Sequence, residues 1–239
     1  QSILGAEVLL FVSPSTQGKL DSPIQLVQRV LFNPNLYSSW FGGITGMINN
    51  ITLLSIILTG AALIREREHG TIEHLLVMPV TPLEIMLSKV WSMGIVVLCA
   101  ALFALHVMIK GVIGVQVAGS TWLFALGTIV YLFATTSIGI YMGTLARTMP
   151  QFGLMAILLL LPLQILSGAI TPRESMPDAV QWIMSGTPTL HFVSYAQAVL
   201  LRGADITMVW PQFLMMSLIG VVFFALAHRR LRQTMGSMG

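Results

Sequence analysis

The sequence predicts an all-α protein that crosses a membrane several times. Hydrophobic residues make up 55% of its 239 residues and charged residues only 9%, and the mean hydropathy is +0.84. Soluble domains carry about 25% charged residues. Most of the charges also lie between long apolar runs, as they do in polytopic membrane proteins. The net charge of +3 comes without a basic block, so nothing indicates nucleic-acid binding.

Five stretches are long enough to be membrane spans. A helix needs about 20 apolar residues to cross a bilayer core about 30 Å thick. None of the five contains Asp, Glu, Lys or Arg, each of which would cost about 2.5–3.5 kcal/mol near the centre of a span. The predicted spans are Trp40–Ile64, Trp91–Ile109, Trp122–Ala146, Gln151–Ile170 and Ile206–Ala227. Residues 40–239 are therefore predicted to form one transmembrane domain.

Residues 1–39 are interpreted as the last part of an extracytoplasmic domain. Gln1–Val12 is apolar and helix-prone, and Ile24–Phe32 alternates loosely as a strand does. The chain begins without a signal peptide, and five spans with an external start form an unusual topology. We therefore expect that an N-terminal portion with a further span is missing.

The placement of Lys and Arg predicts the orientation. One side of the membrane would hold residues 65–90, the connection after Ala146 and the tail after His228. That side carries seven of the twelve basic residues, and the other side carries five. The loops on the first side are roughly half as long in total, so their density of basic residues is higher. Since basic residues are enriched in cytoplasmic loops, this side and the C-terminus are predicted to be cytoplasmic.

Residues 65–90 contain the most highly charged stretch of the chain. Ile72, Leu75, Leu76 and Pro79 follow the spacing of one helix face, with Glu73 off that face. A charged amphipathic element between two spans cannot lie in lipid, so we predict that it docks a partner in the water phase. The alternative is that its charges only anchor the ends of the spans. The candidate docking residues are Arg65, Glu66, Arg67, Glu68, Gly70, Thr71, Ile72, Glu73, Leu75, Leu76 and Pro79.

A long helix is predicted to follow directly. Thr81 can act as its N-cap, Pro82 suits the first helical position, and Glu84 completes a capping box. Apart from Gly94, no helix breaker occurs before Gly111. The helix would run for roughly 28 residues, about 42 Å, and would connect the cytoplasmic surface to the far side of the membrane.

The connection 171–205 on the outer side is predicted to form short helices that dip back into the outer membrane face. Thr171 and Thr187 each precede a proline that suits a helix start, and Gly203 suits a helix C-cap. Pro162 is expected to kink the span before this connection. The alternative is an ordinary interfacial loop. The candidate outer gate residues are Pro172, Arg173, Glu174 and Pro177.

Small and polar residues mark further positions inside the spans. Gly139 with Gly143, and Gly42 with Gly46, have the small-xxx-small spacing that lets helices approach closely. Buried polar groups need partners or water, so polar residues at depth could line a path, although helix–helix hydrogen bonds would explain them equally well. The candidate path-lining residues are Asn49, Asn50, Gln164 and Ser167.

Three classes of function compete. An ion-coupled transporter normally carries ionisable residues inside its spans, and the predicted spans hold no carboxylate or basic residue. An intramembrane hydrolase would need a nucleophile and a base, but Ser167 and His191 are not part of a Gly-x-Ser-x-Gly elbow. A permease driven by a partner fits the uncharged spans and the docking element. The chain has no Walker A motif, since Gly18-Lys19 lacks the other motif residues.

The docking element also resembles a known family. Glu66–Pro79, with the sequence EREHGTIEHLLVMP, is similar to the "ERExGTxExLLxxP" signature of bacterial type-2 ABC exporter permeases, inner-membrane proteins of Gram-negative bacteria. Ser167-Gly168 with Pro172–Pro177, and His191–Gly203, resemble the outer re-entrant segment of that family. The resemblance covers nearly the whole chain.

The resemblance implies a six-span fold in which the five spans here are the second to sixth. It implies a dimer of permeases, of the same or different chains, bound to two ATPase subunits. The segment after the second span would act as a coupling helix in a groove of the ATPase. The second and fifth spans, here Trp40–Ile64 and Gln151–Ile170, would border the path. Substrates of such proteins include drugs, lipids and polysaccharides, and the residues do not choose among them.

The predicted function is therefore that of the membrane subunit of an ABC exporter. It would move a hydrophobic or amphipathic substrate across the bacterial inner membrane. We expect no catalytic residue, metal site or bound cofactor in this chain, with ATP bound and hydrolysed by the partner. The alternative is a membrane scaffold that recruits an ATPase without transporting.

Overall fold

The fold is an antiparallel bundle of long helices, given by a computed structural model that describes residues 38–69, 81–115, 117–168 and 176–236. The described residues belong to one compact unit, Leu36–Gly239. A π-helical segment, Ala104–Val112, continues the second helix. The α-helices are α1 (Ser38–Glu68), α2 (Pro82–Phe103), α3 (Thr121–Leu145), α4 (Met149–Ile165), α5 (Asp178–Ser185), α6 (Pro188–Arg202) and α7 (Ile206–Gly236).

The all-α, polytopic class is confirmed for the described residues. Four helices there are long and apolar enough to cross a membrane: Gly42–Glu68, Pro82–Val112, Thr121–Leu145 and Ile206–Gln233. The helix α4 is apolar but has only 17 residues. The predicted helix at Gln1–Val12, the strand at Ile24–Phe32, the stripe at Ile72–Pro79 and the capping box at Thr171 lie outside the described residues.

The start of α2 forms as its local sequence predicts. The Thr81 hydroxyl accepts a hydrogen bond from the Glu84 backbone N–H, and the Glu84 carboxylate accepts one from the Thr81 N–H. With the π-helical segment, the continuous helix reaches Val112 over 31 residues. That is about 46 Å at 1.5 Å per residue, so the prediction of one long rod is confirmed.

The helix α4 ends earlier than the predicted span. It stops at Ile165, and the chain bends through Leu166 to Gly168, which has a φ of 84°. Pro162 lies inside α4, and the helix continues for three residues beyond it, with the Leu166 N–H bonded to the Pro162 carbonyl. Gly168 then adopts a left-handed conformation that other residues rarely take. The 17 residues of α4 therefore cover only about 25 Å.

The helix α3 lies at the centre of the bundle, where small residues let α1 approach it. An added Cβ on Gly139 would lie 2.7 Å from the Ile56 carbonyl oxygen, and one on Gly143 would lie 3.1 Å from the Gly60 oxygen. The predicted packing role of this glycine pair is thus confirmed. The other pair differs, because nothing lies within 4 Å of a Cβ added at Gly42 or Gly46.

The helix α6 belongs to the core of the bundle at its other end. The Tyr195 hydroxyl donates to the Leu123 carbonyl, and Phe192 stacks on Tyr131 with ring centroids 3.9 Å apart. The C-terminus of α6 is capped by Gly203 with a φ of 64°, as predicted. In contrast, the short helix α5 leaves Trp182 and Ile183 largely exposed.

Candidate functional site

The C-terminal end of α1 meets the N-terminal ends of α2 and α4. Glu66, near the end of α1, forms an ion pair with Lys89 of α2, whose side chain is almost fully buried. Glu68 accepts a hydrogen bond from the Met149 backbone N–H at 2.9 Å, at the first residue of α4. A carboxylate at a helix N-terminus is favourable because it neutralises free N–H groups and the helix dipole.

Arg67 adds a third connection to this end of the bundle. Its Nη1 donates to the Ala146 carbonyl at 2.8 Å, which closes the last turn of α3. Its Nε and Nη2 have no hydrogen-bond partner among the described residues, although both are buried. We call Glu66, Arg67, Glu68, Lys89 and Met149 the end cluster. It holds the ends of α1, α2, α3 and α4 together within the described chain.

The end of α7 lies at the same end of the bundle. Ala227 and Leu231 pack with Met86 and Val90 of α2 and with Leu63 of α1. The described helix ends that border the connections predicted to share one side of the membrane therefore lie at one end of the bundle. This grouping agrees with the alternating topology that the sequence predicts.

A groove runs between α1 and α4, starting beside the end cluster. It has a volume of about 420 Å³. Among the described residues, the polar side chains of its lining are Arg65 and Gln164, and Gly153 lies open in its wall, with nothing within 4 Å of an added Cβ. The α1–α4 groove is lined by Leu53, Ile57, Ala61 and Arg65 of α1 and by Met149, Phe152, Gly153, Ala156, Ile157, Leu160, Leu161 and Gln164 of α4.

The candidate path residues are not brought together. Gln164 lines the α1–α4 groove, and the buried Ser167 donates to the Gln164 carbonyl at 3.0 Å. Asn50 instead faces α2, in a small recess beside Val97. The buried Oδ1 of Asn49 has no hydrogen-bond partner among the described residues.

The candidate docking and gate residues are also not gathered in one place. Arg65 is exposed, and Glu66, Arg67 and Glu68 belong to the end cluster. Pro177 is the exposed N-cap residue of α5 and makes no side-chain cap. The remaining candidates lie outside the described residues: Gly70, Thr71, Ile72, Glu73, Leu75, Leu76, Pro79, Pro172, Arg173 and Glu174.

Sequence reasoning missed a buried polar contact that joins three helices. The Tyr131 hydroxyl of α3 lies 2.5 Å from the Thr52 hydroxyl of α1 and 3.2 Å from the Thr189 hydroxyl of α6. These residues are 79 and 58 positions apart from Tyr131 in the chain, so no local pattern indicates the contact. By contrast, Thr135, Thr136 and Ser137 bond to carbonyls of their own helix.

Replacing Glu66 with glutamine is expected to destabilise the protein by about 1–3 kcal/mol. A broken buried ion pair costs about 3–5 kcal/mol because the remaining charge is unpaired, and Glu66 keeps 31% exposure, which reduces that cost through solvent screening. The measurement is thermal unfolding in detergent for Glu66→Gln, Lys89→Met and the double variant. The double variant should be more stable than Glu66→Gln alone; equal stability would show that Lys89 does not depend on Glu66.

The chain was compared with known families and proteins. The ABC-2 type transporter family matches residues 2–201. The chain is 58% identical over 238 residues to the inner membrane transport permease YhhJ of Escherichia coli (strain K12), which covers 100% of this chain. It is 30% identical over 213 residues to the probable multidrug ABC transporter permease YbhR of the same strain, covering 86% of this chain.

A third relative, the probable multidrug ABC transporter permease YbhS of Escherichia coli (strain K12), is 31% identical over 193 residues, or 78% of this chain. The chain spans only part of each of these relatives: 63% of YhhJ, 57% of YbhR and 50% of YbhS. The predicted resemblance is confirmed by the family match and by the identity across the whole chain. The chain therefore belongs to the ABC-2 type transporter family.

Proposed function

We propose that this chain is the membrane subunit of an ATP-driven ABC exporter. It moves a hydrophobic or amphipathic substrate across the bacterial inner membrane, and partner ATPase subunits bind and hydrolyse the ATP. Family membership supports this proposal, as do the names of the relatives, a transport permease and probable multidrug ABC transporter permeases. The main structural support for the mechanism is the end cluster.

The contacts of the end cluster would let a partner move the ends of several helices together. Residues 70–80 connect α1 to α2, and the two helices are joined next to that connection by the Glu66–Lys89 ion pair. Glu68 and Arg67 add the α3–α4 turn to the same unit. A partner that displaces residues 70–80 would therefore move the ends of several helices together. The Glu66 and Glu68 carboxylates are bonded within the chain. Docking of the ATPase would therefore depend mainly on the apolar stripe at Ile72, Leu75 and Leu76.

The α1–α4 groove is the proposed substrate path. It is bordered by α1 and α4, the helices that correspond to the second and fifth spans of the six-span family fold. On α4, Leu154, Leu158 and Leu161 are more than half exposed, and such a continuous apolar face suits helix packing or lipid. We propose that a second permease copy faces the groove across this surface and completes the path. The outer segment with Pro172, Arg173, Glu174 and Pro177 would cover its exit.

Filling the groove tests this proposal. A Gly153→Leu variant should lower ATP-dependent transport in vesicles at least about tenfold, the equivalent of 1.4 kcal/mol of lost binding. The leucine has room for its Cβ and occupies the groove without disturbing the helix contact. The matched control is Gly94→Leu, at an equally open glycine that lines a different recess, between α2, α3 and α7.

Copurification of the ATPase should be normal in both the Gly153→Leu and the Gly94→Leu variants. Equal transport by the Gly153→Leu and Gly94→Leu proteins would contradict the path assigned to α1 and α4. Normal ATPase binding without ATP-dependent transport of any substrate by the wild-type protein would favour the alternative, a scaffold that only recruits the ATPase.

We propose that the end cluster faces the cytoplasm and that the loop at Asp205 faces outward. In a variant without Cys99, a cysteine at the exposed Thr148 should resist a membrane-impermeant thiol reagent in cells whose inner membrane is intact, and one at the exposed Asp205 should react. Permeabilising the inner membrane should make the cysteine at position 148 reactive. Labelling of position 148 but not 205 in sealed cells would reverse the topology.

A further inference from the structure

The α1–α4 groove has an uneven distribution of polar groups. Arg65 lies at the end beside the end cluster, and Gln164 lies toward the other end. Between them the walls are apolar side chains and the open Gly153. The groove spans Arg65 to Leu53 on α1, a distance of about 18 Å along the helix axis. Its volume of about 420 Å³ lies in the range of about 300–1,000 Å³ that is typical for drug-sized ligands.

The charge at the Arg65 end is positive. Arg65 is exposed and has no ion-pair partner among the described residues, and the exposed Arg147 lies on the adjacent α3–α4 turn. Three carboxylates of the described residues lie at this end. Glu66 pairs with Lys89, whereas Glu68 and Glu84 accept hydrogen bonds from the backbone N–H groups of Met149 and Thr81, which cancel no charge. The basic side chains at this end, Arg65, Arg67, Lys89 and Arg147, outnumber these carboxylates, so the mouth of the apolar groove lies at a net positive end of the described chain.

We propose that the α1–α4 groove takes a drug-sized amphiphile that carries a single anionic group. Its apolar body lies along α1 and α4, and its anionic group pairs with Arg65 at the mouth. This inference rests on the proposed function and specifies the class of its substrate. The apolar body accounts for most of the binding, while the ion pair at Arg65 sets orientation and charge preference.

Other substrate chemistries fit the groove less well. A cationic amphiphile would place its charge beside Arg65 and Arg147, and no carboxylate of the described residues lines the groove. A polysaccharide needs many hydrogen-bonding groups, and Gln164 and Arg65 are the polar side chains that line the groove. A neutral amphiphile would leave the Arg65 guanidinium without a counter-ion.

The test uses the full permease with its ATPase partner in nanodiscs of phosphatidylcholine. The probes are three photoreactive twelve-carbon compounds: a carboxylate, an alcohol and an amine. We expect the carboxylate to bind most tightly and to crosslink to α1 and α4. Arg65→Gln should weaken carboxylate binding about threefold to tenfold, the range for one partly exposed charge-assisted contact, and should leave the alcohol unchanged. Gly153→Leu should reduce crosslinking of both.

The matched control is Arg229→Gln, which removes an exposed positive charge from α7 at the same end of the bundle, outside the groove. It should not change binding of any probe. An equal effect of the Arg229 and Arg65 substitutions would show general surface attraction and would overturn the inference. Equal affinity for the three probes, or crosslinks elsewhere, would also overturn it. Loss of all crosslinks in phosphatidylglycerol nanodiscs would assign the groove to bilayer lipid instead.

The result also separates this inference from the proposed function. Charge-selective binding in the groove without ATP-dependent transport of the carboxylate would contradict the exporter and retain the binding site. ATP-dependent transport of probes without a preference for the anion would retain the exporter and contradict this inference.

Discussion

A Gly139→Val variant is expected to melt at a clearly lower temperature than the wild-type protein in detergent. The added Cβ would lie 2.7 Å from the Ile56 carbonyl oxygen and 3.2 Å from the Ile56 Cα. Both are backbone atoms of α1, so no side-chain rotation can relieve the overlap and the helices must separate. Overpacking of a tight contact costs about 1–3 kcal/mol and sometimes more. For a protein of this length, such a loss of unfolding free energy lowers the melting temperature by about 5 °C or more.

The matched control is Gly46→Val. It introduces the same side chain into a helix at a glycine with nothing within 4 Å of an added Cβ. Gly139→Ala should lie between the valine variant and the wild type. Equal melting temperatures for the two valine variants would mean that α1 and α3 do not pack as closely as described.

The second large effect is expected for Leu75→Asp, which should release the ATPase. Leu75 belongs to the predicted apolar stripe with Ile72 and Leu76, outside the described residues. Burying each of these side chains against a partner contributes about 1.5–3 kcal/mol. Replacing one with a charge should therefore lower the amount of copurified ATPase at least about tenfold. Transport in vesicles should fall with it.

His74→Asp is the matched control, since it introduces the same charge into the same segment off the stripe. It should leave most of the ATPase bound. Both variants should insert into the membrane normally, because the segment lies outside every predicted span. Normal ATPase recovery with Leu75→Asp would leave residues 65–90 as an anchor of the helix ends and would remove the main support for coupling through this segment.

Local signals were sufficient for several features of the fold. The Thr81–Glu84 capping box and the Gly203 cap involve residues only a few positions apart. Hydropathy predicted the positions of the long helices, because backbone groups in lipid must be satisfied within a helix. The early end of α4 at Ile165 was missed, since the apolar character of the sequence continues to Ile170, past the left-handed residue Gly168.

The candidate site was predicted less completely, because its geometry depends on contacts distant in sequence. The charges at Glu66 and Glu68 were assigned to a partner, whereas within this chain they contact Lys89 and Met149, 23 and 81 positions away. Asn50 and Gln164 were grouped as polar residues at depth, but they face different recesses. Residue type and depth do not specify the side of a helix that meets a neighbour.

The sequence by itself determined the membrane class, the helix starts and the family, because hydropathy, caps and the Glu66–Pro79 motif are local along the chain. Only the tertiary structure decided which glycine pair is a packing surface. Gly139 and Gly143 have the same spacing as Gly42 and Gly46, yet only the first pair meets the backbone of another helix. Spacing places two small residues on one helix face, whereas the arrangement of the bundle decides whether another helix lies against that face.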